Sequence, residues 1–493
     1  MNPTWLEQMR AAQRQWQRQS VAQRLRVVGA VRRAVAADPE AMARSIPQRL
    51  RGALHRNEAE SLVAEVMPLL AACRLLEREA ERLLRGQRYG WQGRPVWLAR
   101  VRTRVERVPH GMVLVIAPGN YPLLLAGVQV LQALTAGNAV VWKPAPGTEP
   151  VAHALAARLS DHGLPPGLLR VLEGDAQVVA ELMRAGVDHV VLTGSAKAGM
   201  AVLHEAAETL TPATMELSGW DAVFVLPDAD RERALEAILF GMRLNGSFTC
   251  MAPRRLFLVG MQAAQAEAME SELRARLAEL PAVPVSEATR EELRGMVEDA
   301  RRRGAEIALD GSRNDDGNGG VSATLILHAQ ASMRAMRGEV FAPVLSVMRV
   351  ADRAADAHAQ TDFRLTAAIF GPETAAQRLA ETLRVGHVVV NGLMVPTADP
   401  RIAFGGAGRS GFGLTRGREG LLAMTRQRVV QVQRGGSRRE FAPMDEAHAG
   451  LFSGLFAGLI RGLYAGTLSE RWNGLRQMIG SARKLRGNDE TRR

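Results

Sequence analysis

With 493 residues, 47% of them hydrophobic, the chain is too long for a single core and too apolar to be disordered, so two or three domains are expected. Cys73 and Cys250 are its only cysteines, which excludes a disulfide framework and a cysteine metal cluster and favours a reducing compartment. The net charge of +12 does not by itself mark a nucleic-acid binder, because the arginines are interleaved with Glu and Asp and accompany no zinc-finger or RNP pattern.

The start, Met1-Asn-Pro-Thr-Trp-Leu-Glu-Gln, lacks the basic opening and apolar run of a signal peptide, and the expected location is the cytoplasm, at the inner face of a membrane if the tail binds one. Residues 1 to about 85 read as helices, with apolar residues at three- and four-residue spacing. Apolar and basic residues then roughly alternate over 94–107, the pattern of a half-exposed strand ribbon. From Pro109 short apolar runs at 112–116, 139–142, 168–172, 189–192 and 222–226 alternate with helical stretches. This βα alternation predicts an α/β fold with a parallel sheet covered on both faces, of the kind that binds nucleotides at the carboxyl ends of its strands. A second α/β stretch begins near residue 240, with runs at 255–259, 344–350, 366–370 and 388–390. The loop Asp310–Gly317 looks like a calcium loop at a glance, but Gly is not at its sixth position and Glu is not at its twelfth. It reads as a surface turn, and no metal site is expected.

The chemistry concentrates in a few segments. Cys250 lies in the turn-rich Asn245-Gly-Ser-Phe-Thr-Cys250-Met-Ala-Pro253, downstream of Met-Glu216-Leu-Ser-Gly219. A thiol is a useful nucleophile only as thiolate, and a covalent acyl intermediate needs a base to activate water for its release. Cys250 and Glu216 fit those two roles, although a lone Cys is also a common buried hydrophobe and a lone Glu a common solvated carboxylate. Val113-Leu-Val-Ile-Ala-Pro-Gly-Asn120-Tyr-Pro122 reads as a strand ending in a rigid polar turn that holds the Asn120 amide as a fixed donor. Leu192-Thr-Gly194-Ser195 ends a strand and opens a helix whose N-terminal amides suit a pyrophosphate. Only three of the 63 basic residues are lysine, and Lys143 sits inside a small-residue run, where a compact ammonium has a use that Arg cannot serve.

Together and in this order, these segments resemble the aldehyde dehydrogenase superfamily from about Trp16 to Val432. The resemblance is carried by Pro109-His-Gly111, Ala117-Pro-Gly-Asn120-Tyr-Pro-Leu, Ala136-Gly-Asn138-Ala-Val-Val-Trp-Lys143-Pro-Ala and Leu192-Thr-Gly-Ser195. It continues through Glu216-Leu-Ser-Gly219, Phe248-Thr-Cys250, Glu339-Val-Phe341-Ala-Pro343 and Phe404-Gly-Gly406 with Ser410-Gly411. It implies a Rossmann-type cofactor domain over 1–89 and 110–217, an α/β catalytic domain over 218–424, a bridging oligomerisation arm over 90–109 and 425–436, and a tail over 437–493. It further implies that Cys250 is the nucleophile, that Glu216 is the general base, and that Asn120 pairs with the Cys250 backbone N–H in an oxyanion hole. Lys143 would contact the adenosine ribose, Gly194 and Ser195 the pyrophosphate and Glu339 the nicotinamide ribose, with Phe341 near the nicotinamide. The implied reaction is NAD- or NADP-dependent oxidation of an aldehyde to a carboxylic acid through a hemithioacetal and a thioester, in a homodimer or homotetramer. Two alternatives stay open: a coenzyme A-linked acylating enzyme, which Glu216 opposes, and an inactive membrane-associated scaffold, which the intact Cys250, Glu216, Asn120 and Lys143 oppose.

Several residues depart from the family pattern. Ser218-Gly219 is followed by Trp220 and Asp221, which are expected to alter the walls near the base. Phe248 makes the surroundings of Cys250 more apolar, and Pro146, three residues after Lys143, offers no charge against a 2′-phosphate.

The tail repeats a tetrad, Gly450-Leu-Phe-Ser, Gly454-Leu-Phe-Ala, Gly458-Leu-Ile-Arg, Gly462-Leu-Tyr-Ala, Gly466, and then becomes basic through Arg471, Arg476, Arg483, Lys484 and Arg486. In a helix the tetrad makes a glycine ridge beside an apolar ridge. The segment fits either in-plane membrane association, which would suit lipophilic aldehydes, or packing on the enzyme's own surface or another subunit.

Overall fold

A computed structural model describes residues 3–313, 320–352, 354–435 and 446–490. Residues 314–317 of the Asp310 turn, residue 436 of the expected arm, and residues 437–445 and 491–493 of the tail lie outside the described residues. The chain divides into two compact units, residues 1–87 with 105–429, and residues 88–104 with 430–493.

The larger unit opens with helices. Val21–Ala37 starts at a capping box in which Ser20 accepts from Gln23 N and the Gln23 side chain accepts from Ser20 N. Met67–Leu84 buries Leu69, Cys73, Leu76, Ala80 and Leu84, a stripe at helical spacing. Cys73 is thereby a core residue, its thiol pushed up to about 12 by burial.

Behind these helices stands a six-stranded sheet. Its spatial order is Gly411–Phe412, Ala213–Leu217, His189–Gly194, Met112–Ile116, Ala139–Lys143 and Leu169–Val171. The last five strands run parallel, with Val- and Leu-rich sequences because both faces are covered. The first of these strands in the chain, Met112–Ile116, is central, with later strands added to either side of it. That order creates a crevice at the carboxyl ends of Met112–Ile116 and His189–Gly194, where such sheets take ligands. Asn120 and Ser195 follow those two strands directly.

A second sheet of seven strands runs Glu306–Leu309, Thr324–Leu327, Val344–Val350, Pro253–Val259, Asp221–Val225, Thr366–Phe370 and His387–Val390. All its neighbours are parallel except the first pair. The fold is therefore α/β, as expected from the alternation, and it adds the strands at 306–309 and 324–327, which are too short to stand out as apolar runs. The chain returns from the second sheet to the first at Ser410-Gly411. Leu217 N donates to Ser410 O at 3.1 Å, Ser410 Oγ donates to Ser218 O at 2.8 Å, and Gly411 pairs with Glu216. A Cβ on Gly411, whose φ is +98°, would collide with Met215 O, so only glycine fits this crossing.

Gln87–Tyr89, Val101–Pro109 and Thr425–Gln433 form a separate three-stranded sheet. The ribbon expected over 94–107 is strand only from Val101, because Pro95, which fixes its own φ and lacks a backbone donor, is followed by a 3₁₀ turn at Val96–Leu98. Within the smaller unit the tail forms two helices, Glu446–Tyr464 and Leu468–Glu490. The glycine ridge packs on the second helix. A Cβ at Gly458 would sit 2.5 Å from Met478 N, and one at Gly454 would sit 2.6 Å from Ser481 Oγ. The apolar ridge is partly covered: Leu451, Phe452, Leu455, Leu459 and Leu463 are half-buried, whereas Phe456, Ile460 and Tyr464, with Leu468 and Trp472 of the second helix, are exposed, and Tyr464 lies edge-on to Trp97 at 6.5 Å. No helix among the described residues is long and apolar enough to cross a membrane.

Candidate active site

Helix Arg231–Arg243 is followed by three consecutive left-handed residues, Asn245 (φ 53°), Gly246 (φ 61°) and Ser247 (φ 66°). This turn sets Phe248-Thr249-Cys250 ahead of the Pro253–Val259 strand. Two side chains hold it. The buried Arg254 guanidinium donates to Ser247 Oγ at 2.8 Å, Ser247 O at 2.6 Å and Ala342 O at 2.5 Å. Asn245 Nδ2 donates to both Asn120 O (3.0 Å) and Phe248 O (3.2 Å). Across the turn a Cβ at Gly219 would lie 2.5 Å from Cys250 O, so glycine is what allows that close approach.

Asn120 meets the same turn from the first sheet. Its Nδ2 donates to Phe248 O at 3.0 Å and its Oδ1 accepts from Tyr121 N at 3.0 Å, while the Tyr121 hydroxyl shares a 2.8 Å hydrogen bond with Thr249 Oγ1. Beneath the loop lies a fully buried ion pair, Arg56 with Glu65. Glu65 Oε2 accepts from Leu123 N (2.6 Å) and Leu124 N (2.9 Å), and Arg56 NH1 donates to Asn120 O (3.3 Å) and Asn245 Oδ1 (3.4 Å). The pair thus anchors both loops that carry the candidate oxyanion hole.

Glu216 is buried at the end of its strand. Thr415 Oγ1 donates to its Oε2 at 2.6 Å, and its Oε1 has no partner among the described residues. Burial raises its pKa above the ordinary carboxylate value, with Arg416 and the Thr415 hydroxyl pulling the other way. Burial likewise raises the Cys250 thiol, reinforced by the nearby Glu216 and Asp221 carboxylates and opposed by Arg416. Arg416 itself has φ 58° and ψ −179°, a backbone region that suits glycine and costs other residues about 1–3 kcal/mol.

Two cavities share Cys250 and Glu216 as a common wall. One, of about 490 Å³, is lined by Asn120, Gly194, Ser195, Glu339, Phe341 and Pro146. Ser195 caps helix Ala196–Thr209, its Oγ accepting from Ala198 N at 3.1 Å, so the cavity opens onto a helix N-terminus, where an anion is stabilised. The donor set and this dipole fit a dinucleotide. Phe248 packs edge-on against Phe341 at 5.2 Å and lines this cavity, so the surroundings of Cys250 are apolar on that side. Lys143 is not among the lining residues: it is buried at the end of its strand, Nζ donating to Pro144 O at 2.7 Å. The second cavity, of about 210 Å³, is lined by Val63, Met67, Leu124, Phe240, Met251, Met394, Val395 and other apolar residues. Val63, Met67 and Val395 are exposed at its mouth.

Trp220 and Asp221 do not wall the base as expected. Trp220 is buried in the second sheet's core, where its Nε1 donates to Ala335 O at 2.9 Å, and neither residue lines the two cavities. Asp221 is buried in the second sheet, where its carboxylate accepts from Thr366 N at 3.1 Å and from the Thr366 hydroxyl, and burial raises its pKa to about 7. The sequence reading missed Arg56, Glu65, Asn245, Arg254 and Arg416. Ordinary helix- and turn-forming sequence surrounds them, although Asn245 lies within, and Arg254 directly after, the segment singled out around Cys250.

The aldehyde dehydrogenase family model matches residues 4–430. The chain is 34% identical to 4,4'-diapolycopene aldehyde oxidase of Methylomonas sp over 74% of this chain and 69% of that protein. It is 30% identical to a probable coniferyl aldehyde dehydrogenase of Pseudomonas aeruginosa over 76% of this chain and 79% of that one. Among solved structures, betaine aldehyde dehydrogenase of Staphylococcus aureus in complex with NAD+ superimposes with a TM-score of 0.77 at 24% identity, covering 87% of each chain.

Proposed function

The chain belongs to the aldehyde dehydrogenase family and is an NAD(P)-dependent aldehyde dehydrogenase; from that premise we propose that Cys250, Glu216 and Asn120 oxidise lipophilic aldehydes to carboxylic acids by a hydrolytic route. The observation that carries this reading is the shared wall: Cys250 and Glu216 stand between a cavity fit for a dinucleotide and a largely apolar one.

The resting thiol has its pKa raised, so attack on an aldehyde requires the Cys250 proton to leave, and the buried Glu216 carboxylate is the base at hand. As sulfur bonds to the carbonyl carbon, the oxygen becomes an alkoxide. The second N–H of Asn120 Nδ2 and the Cys250 backbone N–H are the donors that stabilise it. A bound NAD or NADP supplies the hydride acceptor that turns a hemithioacetal into a thioester. Glu216 releases the Cys250 proton to solvent and then takes one from water; hydroxide attacks the thioester, the C–S bond breaks, and the proton on Glu216 passes to the Cys250 sulfur as the carboxylic acid leaves. Ser195 and the following helix N-terminus would hold the pyrophosphate, Glu339 the nicotinamide ribose, and Phe341 the nicotinamide face. Lys143, which does not line the cavity, would have to turn its ammonium away from Pro144 O to contact the adenosine ribose, and Pro146 sets no charge against a 2′-phosphate. The six-stranded sheet is then the cofactor domain, the seven-stranded sheet the catalytic one, and the three-stranded sheet an arm between protomers. The apolar second cavity and a relative named for 4,4'-diapolycopene aldehyde both support a lipophilic substrate.

The test follows nicotinamide reduction by purified protein and its Cys250→Ala variant with aldehydes of increasing chain length and with each dinucleotide. Cys250-dependent turnover, with kcat/KM rising with chain length, is expected. Turnover only when coenzyme A is added would replace the hydrolytic reading, and no reduction with any aldehyde would leave a scaffold role.

The exposed Ile460, Tyr464, Leu468 and Trp472, lying among Arg461, Arg471, Arg476 and Arg483, favour in-plane contact of the tail with an anionic lipid surface. Co-sedimentation with phosphatidylglycerol vesicles, absent with phosphatidylcholine and lost in Trp472→Ser with Ile460→Ser, is the expected result. Recovery of the protein in the supernatant with both vesicles would remove the membrane from the account.

A further inference from the structure

We infer that Arg416 is a positioning residue for the reaction: its guanidinium supplies the positive charge that faces Glu216 and Cys250 across the apolar aldehyde cavity and so keeps the hydrolytic base in its ionised, working form. This deepens the proposed function and rests on that reading.

The lining of the cavity makes the first argument. Arg416 is the only cation and Glu216 the only carboxylate among its lining residues, and the rest are almost all apolar. Charges in such a wall are poorly screened, so one opposite charge matters more there than on a surface. The chain order makes the second. Thr415 grips Glu216 Oε2 through its hydroxyl, and the next residue brings the guanidinium to the same wall.

The bonding of Arg416 argues against a merely structural role. The side chain is held by a 3.3 Å donation from NH1 to Thr397 O and by the Phe404 ring, 4.2 Å from its centroid, yet Nε is buried with no partner among the described residues, which packing for stability alone would not leave. Its backbone adopts a conformation that suits glycine, immediately before Gly417 with φ 56°. A loop chosen for stability alone would place glycine at 416. Backbone strain under a charged side chain at a reaction centre is the pattern expected where the charge serves the chemistry.

The other charged groups nearby do not serve in its place. Burial holds the Cys250 thiol neutral and raises the Asp221 carboxyl to about 7, Tyr121 is likewise held neutral by burial, and the Arg56 guanidinium is neutralised by Glu65. Burial keeps His387, beside Arg416, in its neutral form at lower pH than usual, and Arg254 and Arg255 lie under Asp221 in the second sheet. Among the groups opposing burial at Glu216, the Arg416 charge is the largest, and it lowers the Cys250 pKa as well.

The experiment compares pH profiles of kcat and kcat/KM for the wild type, Arg416→Gln and Arg416→Lys, with single-turnover measurement of acyl-enzyme hydrolysis. In Arg416→Gln the acid limb should move up by about one pH unit, in kcat and kcat/KM alike, because the same carboxylate accepts the Cys250 proton and activates the water, and hydrolysis of acyl-enzyme formed at high pH should slow when the pH is dropped to 6. Arg416→Lys should restore most of the limb's position. Arg416→Gly, which relieves the backbone, provides a folded variant for the same reading if Gln does not fold. An acid limb left in place in both neutral variants would overturn the inference, however far kcat falls. A wild type that reduces no nicotinamide with any aldehyde would overturn the oxidation reading, and this inference with it; a wild type with normal turnover and an unmoved limb in the variants would overturn this inference alone.

Discussion

The side-chain amide of Asn120 donates to the carbonyl of Phe248 at 3.0 Å, tying the loop that leaves the central strand of one sheet to the turn that enters the second sheet with Cys250. Asn245 repeats the tie from the other side, donating to Asn120 O and Phe248 O. The candidate oxyanion donors are thus held relative to one another by side chains from two separate segments. Pre-organisation of this kind sets donors in place before charge develops and avoids reorganisation during the reaction.

Asn120→Ala is expected to lower kcat by 10²- to 10³-fold, the loss typical of one oxyanion donor (about 3–4 kcal/mol). Asn245→Ala should lower kcat by about 10-fold, the worth of roughly one hydrogen bond, with KM for the aldehyde nearly unchanged. Steady-state kinetics of the two variants check the order; an Asn245→Ala loss confined to KM would contradict the positioning role.

Arg56 and Glu65 form a buried pair whose halves serve two loops, so removing one half strands a charge. Arg56→Met or Glu65→Gln should each cost about 3–5 kcal/mol of stability, read as a fall in Tm or in the denaturant midpoint. Replacing both with apolar residues should cost less than the two single changes summed, because neither charge is left alone.

Glu216 has a raised pKa in the folded protein, so the folded state binds its proton more tightly than the unfolded chain does. Its ionisation therefore subtracts stability as pH rises from the unfolded carboxylate value through the folded one. Glu216→Gln is expected to abolish turnover, since both thiol activation and thioester hydrolysis use this carboxylate, while raising Tm, by little at pH 4 and by more at pH 8. A Tm difference that shrinks with increasing pH would reverse the sign assigned here.

Val63, Met67 and Val395 stand exposed at the mouth of the apolar cavity. Met67→Glu should raise KM about 10-fold or more for long-chain aldehydes, since burying an apolar chain against a charge forfeits roughly 1–3 kcal/mol, and should leave short aldehydes nearly unaffected. Equal effects across the chain-length series would place the substrate elsewhere.

Gly411→Ala should destabilise the protein and lower kcat together. Its Cβ would enter the Met215 carbonyl, and the strand that pairs with Glu216 would have to shift. Thermal unfolding and activity of the purified variant test both halves of the expectation.

Much was legible along the chain because it depends on local pattern. Buried parallel strands need unbroken Val/Ile/Leu runs, and those at 112–116, 139–142 and 189–192 stood out. Asn120 and Ser195 could be placed at strand ends because Pro/Gly turns follow the runs directly. Cys250 and Glu216 were marked by residue type and motif. The 94–100 segment misled because alternation alone does not register the effect of Pro95, and the tail's glycine ridge left its partner open because close approach requires a second surface that periodicity cannot name.

The sequence by itself determined the α/β class, the order of the elements and the residues able to do thiol and carboxylate chemistry. Only the tertiary structure decided which side chains set the charge and position of those groups. Thr415 and Arg416 come to Glu216 from 199 residues along the chain in the case of the Thr415 hydrogen bond, and Arg56 and Glu65 reach the Asn120 and Asn245 loops from the N-terminal helices. A pKa and a donor's aim depend on burial and on charges a few ångströms away in space. Neither quantity exists until the two sheets and the helices have packed.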